Sequence, residues 1–193
     1  MIVTIKNYDV ENDLKTINIK EIARYCGGIA NDDILPVIEQ CLAEAKPMLT
    51  PKICYCTVPV SVSEEMVEFP FATAKSKDLA KNLSGCKTAV IFCATVGLGI
   101  DRLISKYGTV SPVKSLVFEG IGSERIEALC DLFCGGFKNA KPRFSPGYGD
   151  MELDFQTEIF KVLQCAKKIG VTLNESFLMS PSKSVTAIMG VRK

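Results

Sequence analysis

Histidine and tryptophan are both missing from these 193 residues. The first absence excludes several classes of chemistry at once. Serine and cysteine hydrolases that use an imidazole base, His-ligated metalloproteases and His-mediated acid-base catalysis all need a side chain this chain does not have. Any reaction it takes part in is borrowed from a ligand or is electrostatic. A charge bias is lacking too. Lys plus Arg number 23 against 22 for Asp plus Glu, a formal net charge of +1. No basic run marks a nucleic-acid stripe or an anionic-membrane anchor, so neither partner is expected. Long apolar runs are also missing. The longest, from Thr88 to Val96, is too short to cross a bilayer. The start, Met1 to Asp9, has no basic stretch followed by an apolar core and a cleavage site. The expected location is the cytoplasm.

Cysteine and apolar residues, in contrast, are plentiful. Hydrophobic residues make up 47% of the chain, enough for a substantial core without metals or disulfides. The nine cysteines are odd in number and sit mostly within apolar patterns, so they read as reduced, small core residues. Only Cys54-x-Cys56 and Cys130-x-x-x-Cys134 are closely spaced, and no histidine completes a zinc set, so no metal is expected.

Along the chain, Asn18 with Glu21 three positions on predicts a capped helix over 19–26, closed by Gly27-Gly28. Asp32 is expected to cap a second helix, with Ile34, Leu35, Ile38, Cys41, Leu42 and Ala45 at helical spacing and Pro47 as its stop. Residues 52–60 and 66–69 read as strands joined by a polar link, Ser61 to Glu65. Ser76 starts a brief helix that ends at Gly85. Residues 87–94 have no polar alternate face and should form the central strand of a sheet. Gly97-Leu98-Gly99 follows it but lacks the third glycine of a dinucleotide fingerprint.

Ser111-Pro112 is expected to open a long helix, with serine capping and proline in the first turn. Its expected buried face is Val113, Leu116, Val117, Ile121, Ile126, Leu129, Leu132 and Phe133, with Gly120 and Gly122 permitting a close crossing. Glu124, Glu127 and Asp131 form an acidic row at helical spacing, which by residue type suits a solvated face. A further amphipathic helix is marked by Leu153, Ile159, Phe160, Leu163 and Ala166, ending at Gly170. Residues 175–179 and 184–189 read as a hairpin across a Ser-Pro-Ser-Lys turn. The expected fold is one α+β domain, residues 1–193, with a twisted, mainly antiparallel sheet and packed helices.

Between the two long helical stretches lies Arg143-Phe144-Ser145-Pro146-Gly147-Tyr148-Gly149-Asp150. Arg143 offers a planar fork of donors for a carboxylate or phosphate, and Tyr148 an aromatic face with one hydroxyl. Pro146 fixes a backbone angle, while Gly147 and Gly149 permit positive φ. Together these suit a small ligand with an anionic end and a flat end. The same residue types also suit a plain connection between helices.

Arg143 to Tyr148, Leu173 to Pro181 and Ser184-Val185, in that order and spacing, resemble the S-adenosylmethionine-binding activation domain of cobalamin-dependent methionine synthase. A fainter likeness runs back through Ile126 to Leu129 and Ala94 to Gly97 to Lys20–Tyr25, covering nearly the whole chain. The resemblance implies an activation-domain-like fold and two cofactors: S-adenosylmethionine, and cobalamin presented by a partner protein. It implies a role in methionine biosynthesis, in which inactive cob(II)alamin is reduced by one electron and methylated from S-adenosylmethionine.

For the site, the resemblance implies Arg143 on the ligand carboxylate, Tyr148 packed against the ligand and the backbone of Ser145 and Gly147 on its polar edges. Glu127 would meet the ammonium or ribose hydroxyls, while Glu175 and Ser184 either touch ligand or fix the hairpin. No catalytic acid or base is implied. Three departures stand out. The chain stops at Lys193 without the aromatic extension that follows in the fused enzyme, it has Gly149-Asp150 where apolar residues are usual, and it has no Asp-x-His-x-x-Gly cobalt-ligating element. A free-standing reactivation subunit is therefore expected. Its partners would be a methionine synthase or another corrinoid protein and an electron donor such as flavodoxin or ferredoxin. A non-catalytic module that senses S-adenosylmethionine or scaffolds a corrinoid protein is the alternative.

Overall fold

The computed structural model describes residues 1–27 and 34–192. Its centre is a four-stranded antiparallel sheet of β1 (Thr4–Asn7), β2 (Lys52–Pro59), β6 (Thr88–Thr95) and β9 (Ser184–Val191), in the spatial order β1-β2-β6-β9. β6 is the inner strand expected from its unbroken apolar run. Its Val90, Phe92 and Ala94 face one core, and Ala89, Ile91 and Cys93 face another, all at most 1% exposed. Each large side chain buried this way contributes roughly 1.5–3 kcal/mol. Double-sided burial is why the strand carries no alternation of polar residues.

The first core is closed by α1 (Ile19–Tyr25), α2 (Leu35–Ala45), α4 (Gly99–Tyr107) and α5 (Pro112–Gly135). The second is closed by α3 (Lys77–Leu83), α6 (Gln156–Leu163), α7 (Cys165–Ile169) and the small sheet β3 (Ser61–Val62), β4 (Met66–Phe69), β5 (Ala72–Lys75). The predicted α+β, mainly antiparallel class is what the structure has. Among the described residues no helix is long and apolar enough to cross a membrane.

Local expectations hold at two caps and along the unbroken apolar run, whereas Ser111, ahead of α5, makes no side-chain capping bond. Asn18 caps α1 by accepting from Glu21 N at 3.1 Å, and Ser76 caps α3 by accepting from Leu79 N at 2.9 Å. Gly120 lets α1 cross α5 closely, since a Cβ there would lie 3.0 Å from Ile22 O. Gly97 and Gly99 serve packing too. Added side chains would meet Thr50 Oγ1 and the Met48 carbonyl, each at 2.0 Å, so the pair seats the β6–α4 turn against the segment before β2. Asp32, the expected cap of α2, lies outside the described residues.

Four expectations are corrected. Ser61–Val62 is a strand rather than part of a link, because it pairs with β4. The helix expected through Leu163 and Ala166 is broken at Gln164, which adopts φ 54°, so α6 and α7 are separate and Leu153 lies in a preceding 3-10 turn. The C-terminal hairpin is β7 (Thr172–Leu173) with β8 (Met179–Ser180), and β9 pairs with β6 instead. Long-range pairing won over the adjacent turn because β9 buries both faces in the main sheet. On α5, Val117, Ile121, Ile126, Leu129 and Phe133 are buried as expected, but Val113, Leu116 and Leu132 are exposed. Its contacts with the sheet and with other helices do not wrap that far around.

Candidate functional site

The ligand-like loop is built onto the sheet's edge. Beyond β9, the segment leading to Arg143 runs antiparallel to it. Lys141 N donates to Gly190 O, and Phe144 and Ile188 exchange both backbone hydrogen bonds, each at 2.8 Å. From Ala140 to Phe144 the segment takes four steps while β9, from Val191 to Ile188, takes three. The extra residue makes a bulge, the device that re-aims a side chain at a sheet edge. Pro142, which has no N–H to contribute, falls within it, directly before Arg143. The loop then closes on itself, with Tyr148 N donating to Ser145 O at 3.2 Å and Gly147 N to Met151 O at 2.9 Å. Gly147 takes φ 87° and Gly149 φ 55°, which explains both glycines.

Asp150 fastens the far end of the loop. Its carboxylate accepts from Ser76 Oγ, from Lys77 N at 2.8 Å and from Asp78 N at 3.2 Å, so it sits on the N-terminus of α3. The Ser76 hydroxyl bond, with those backbone N–H groups, holds the Asp150 carboxyl below its ordinary pKa, and slight desolvation works against them.

Arg143 turns toward α5, where it is gripped by two acids one helical turn apart, NH2 by Glu127 and NH1 by Asp131. The arginine side chain is 24% exposed while the two acids are largely in solvent. Burial disfavours its charge, but the Asp131 hydrogen bond and the neighbouring Cys130, Glu127 and Asp131 outweigh it and raise the guanidinium pKa further. Cys134 meets the same guanidinium, yet burial dominates and pushes its thiol up, so it remains a thiol at neutral pH. A guanidinium has more N–H donors than two carboxylates use, so the acids orient the fork and leave donors for a third anion.

These groups line an open groove of about 1160 Å³ at the β9 edge, between α5 and the start of α6. Of the residues singled out in the sequence, Glu127, Arg143, Ser145, Tyr148 and Ser184 line it. Gly147 shapes the loop without lining the groove. Glu175 sits at the exposed tip of the β7–β8 hairpin, lining a neighbouring groove that shares Phe177. The acidic row is also redrawn. Glu127 and Asp131 face the groove, whereas Glu124 is buried, pairing with Arg125 and accepting from Asn18 N at 3.0 Å. The N-terminal segment covers α5 at that level, which helical spacing cannot reveal.

Sequence reasoning missed Gln156, Ser182 and Thr186 on the groove's polar side, and Phe177, Leu178 and Met179 on its apolar side. Gln156 donates to Phe177 O at 2.8 Å and accepts from Thr186 Oγ1 at 3.3 Å, joining α6, the hairpin and β9. A glutamine at a helix start that is only 3% exposed has no signal in a single sequence. Tyr148 and Leu178, 69% and 65% exposed, stand at the groove's mouth.

Comparison with solved structures gives the class of fold. The crystal structure of the MetH reactivation domain bound to AdoHcy superimposes with a TM-score of 0.74, over 100% of this chain and 79% of that one, at 15% sequence identity. The fold is thus that of a reactivation domain. A family model for the activation domain of vitamin B12 dependent methionine synthase matches residues 130–193, which include the Arg143 loop, β7, β8 and β9. The chain therefore resembles the activation domain of vitamin B12 dependent methionine synthase in its C-terminal sequence, and the MetH reactivation domain in its whole fold. A search of curated proteins finds no match.

Proposed function

We propose that this protein binds S-adenosylmethionine in the β9-edge groove and supports reductive methylation of cob(II)alamin carried by a separate methionine synthase or related corrinoid protein. The observation that carries the reading is the Arg143 fork, oriented by Glu127 and Asp131 in a groove that also presents apolar and aromatic side chains. An α-amino acid head has a carboxylate for the free donors of Arg143 and an ammonium for the acids beside it. Phe144, Phe177, Met179 and Val185, with Tyr148 at the mouth, offer apolar and aromatic surface to a flat base. Ser145 and Ser182 add polar groups to the lining, and Gln156, Thr186 and Ser184, bonded within the protein, fix the wall behind them.

The chemistry asks little of the side chains beyond placement. The partner's corrinoid, once reduced by one electron from a donor of the flavodoxin or ferredoxin kind, would accept the methyl group from the sulfonium, and S-adenosylhomocysteine would be the by-product. This chain contributes alignment of the methyl donor, which can supply several kcal/mol of the barrier reduction without an acid or base. A site without histidine is suited to that work. Single-domain organisation of residues 1–193 and a cytoplasmic setting belong to the same reading.

The first test is calorimetric titration with S-adenosylmethionine, alongside Arg143→Ala checked for folding by circular dichroism. Binding by the parent and its loss in the variant are expected. The second mixes a cob(II)alamin-loaded partner, reductant and S-adenosylmethionine. No more methylcobalamin with this protein than without it would sink the reactivation role and leave ligand sensing.

A further inference from the structure

A second cation sits on the same helical ridge as Arg143. Counted in fours along α5, Glu119, Ser123, Glu127 and Asp131 form one i, i+4 row. Its C-terminal half grips Arg143. Its N-terminal half grips Lys183, whose ammonium pairs with Glu119 and lies 3.1 Å from Ser123 Oγ. The Lys183 side chain is only 15% exposed, and its stem crosses the helix at Gly122, where a Cβ would come within 2.8 Å of Lys183 Cγ. The missing side chain at 122 is what lets the stem lie that close.

Lys183 does not line the groove, but both its neighbours, Ser182 and Ser184, do. The turn that carries them is fastened to the end of β6 and to α4. Ser182 N donates to Asp101 Oδ1 at 2.9 Å, and Val96 N to Lys183 O at 3.2 Å. Ser184 Oγ lies 2.9 Å from Thr95 Oγ1 and 2.8 Å from Pro181 O. Lys183 adds the tie from this turn to α5, whose next two turns hold the acids that orient Arg143.

We propose that Lys183 is a positioning residue. Its clamp on Glu119 and Ser123 fixes the separation of the α5 wall, bearing Glu127 and Asp131, from the wall bearing Ser182 and Ser184, and thereby sets the affinity of the groove without touching the ligand. The proposal rests on the reading of the groove as an S-adenosylmethionine site. Sites whose supporting contacts are loosened by small displacements lose affinity even when every contacting residue remains.

The test uses the full chain with Lys183→Met, which keeps the stem and removes the charge, together with Glu119→Gln and the double variant. Calorimetry with S-adenosylmethionine and hydrogen exchange at the Ser182 amide are the readouts. Expected are a loss of about tenfold in affinity in either single variant, no further loss in the double because both break one contact, and faster exchange at Ser182. Lys183→Arg should restore both. Affinity unchanged in Lys183→Met, or losses that add in the double variant, would overturn the clamp. Should the parent itself bind no S-adenosylmethionine, the functional reading fails. The Ser182 exchange rate then decides the clamp alone: acceleration in Lys183→Met and Glu119→Gln upholds wall fixing, and an unchanged rate refutes it.

Discussion

Two arginines meet carboxylates of α5, and they could hardly be used more differently. Arg125, 1% exposed, donates to the carbonyls of Leu14 at 2.5 Å and Thr16 at 2.7 Å and to both oxygens of Glu124, which also accepts from Asn18 N. That cluster pins the N-terminal segment over the first core. Arg143 meets two acids that are 47% and 73% exposed and opens onto a groove. A guanidinium with four of its five donors engaged by its own chain holds structure, while one with more donors to spare can hold a guest. Burial alone would have picked out Arg125 rather than the arginine that faces the β9-edge groove.

The largest expected effect separates them by stability. Arg125→Met leaves Glu124 buried without its partner and should cost about 3–5 kcal/mol in urea unfolding. Adding Glu124→Met should recover only part, since the Leu14 and Thr16 carbonyls still lack a donor. Next, Arg143→Ala should cost only about 1 kcal/mol in the same assay, while lowering S-adenosylmethionine affinity by roughly 10–100-fold, the worth of a charge-assisted hydrogen bond. A stability loss from Arg143→Ala equal to that from Arg125→Met would erase the distinction.

Smaller still, raising salt from about 0.1 to 1 M shortens the screening length from roughly 10 to 3 Å. It should weaken ligand binding several-fold while leaving the Arg125 contribution, read from the stability gap between parent and Arg125→Met, nearly constant.

The smallest effect concerns acid. The Asp150 pKa is lowered in the folded chain by Ser76 and the N–H groups of Lys77 and Asp78. Its stabilisation is therefore complete above the ordinary aspartate value of 3.8 and is lost as pH falls through the lowered folded value. Asp150→Asn should flatten that part of the acid limb in a pH series of melting temperatures.

What was legible in the sequence follows from the range of the interactions. Arg143, Ser145 and Tyr148 stand in one short loop whose prolines and glycines announce its shape, and all three line the groove. The capped helices and β6 were legible because caps and unbroken apolar runs act locally. The pairing of β9 was not legible, because its partner residues in β6 lie 89 to 103 positions away and the nearer turn offers a false alternative. Glu124 and Glu127 look equivalent at helical spacing, and only the N-terminal segment laid across one of them tells them apart. Gln156, Ser182 and Thr186 carry no motif, since three separate elements must meet before they form a wall.

The bulge at Pro142 has a mechanical consequence. Arg143 hangs from a segment laced to β9 on both sides of it, at Lys141 and at Phe144, and β9 is laced along its length to β6. A load applied to the guanidinium therefore spreads into the hydrogen-bonded main sheet instead of bending a free loop. The fork should jitter with the amplitude of a sheet residue, although it belongs to a connection between helices.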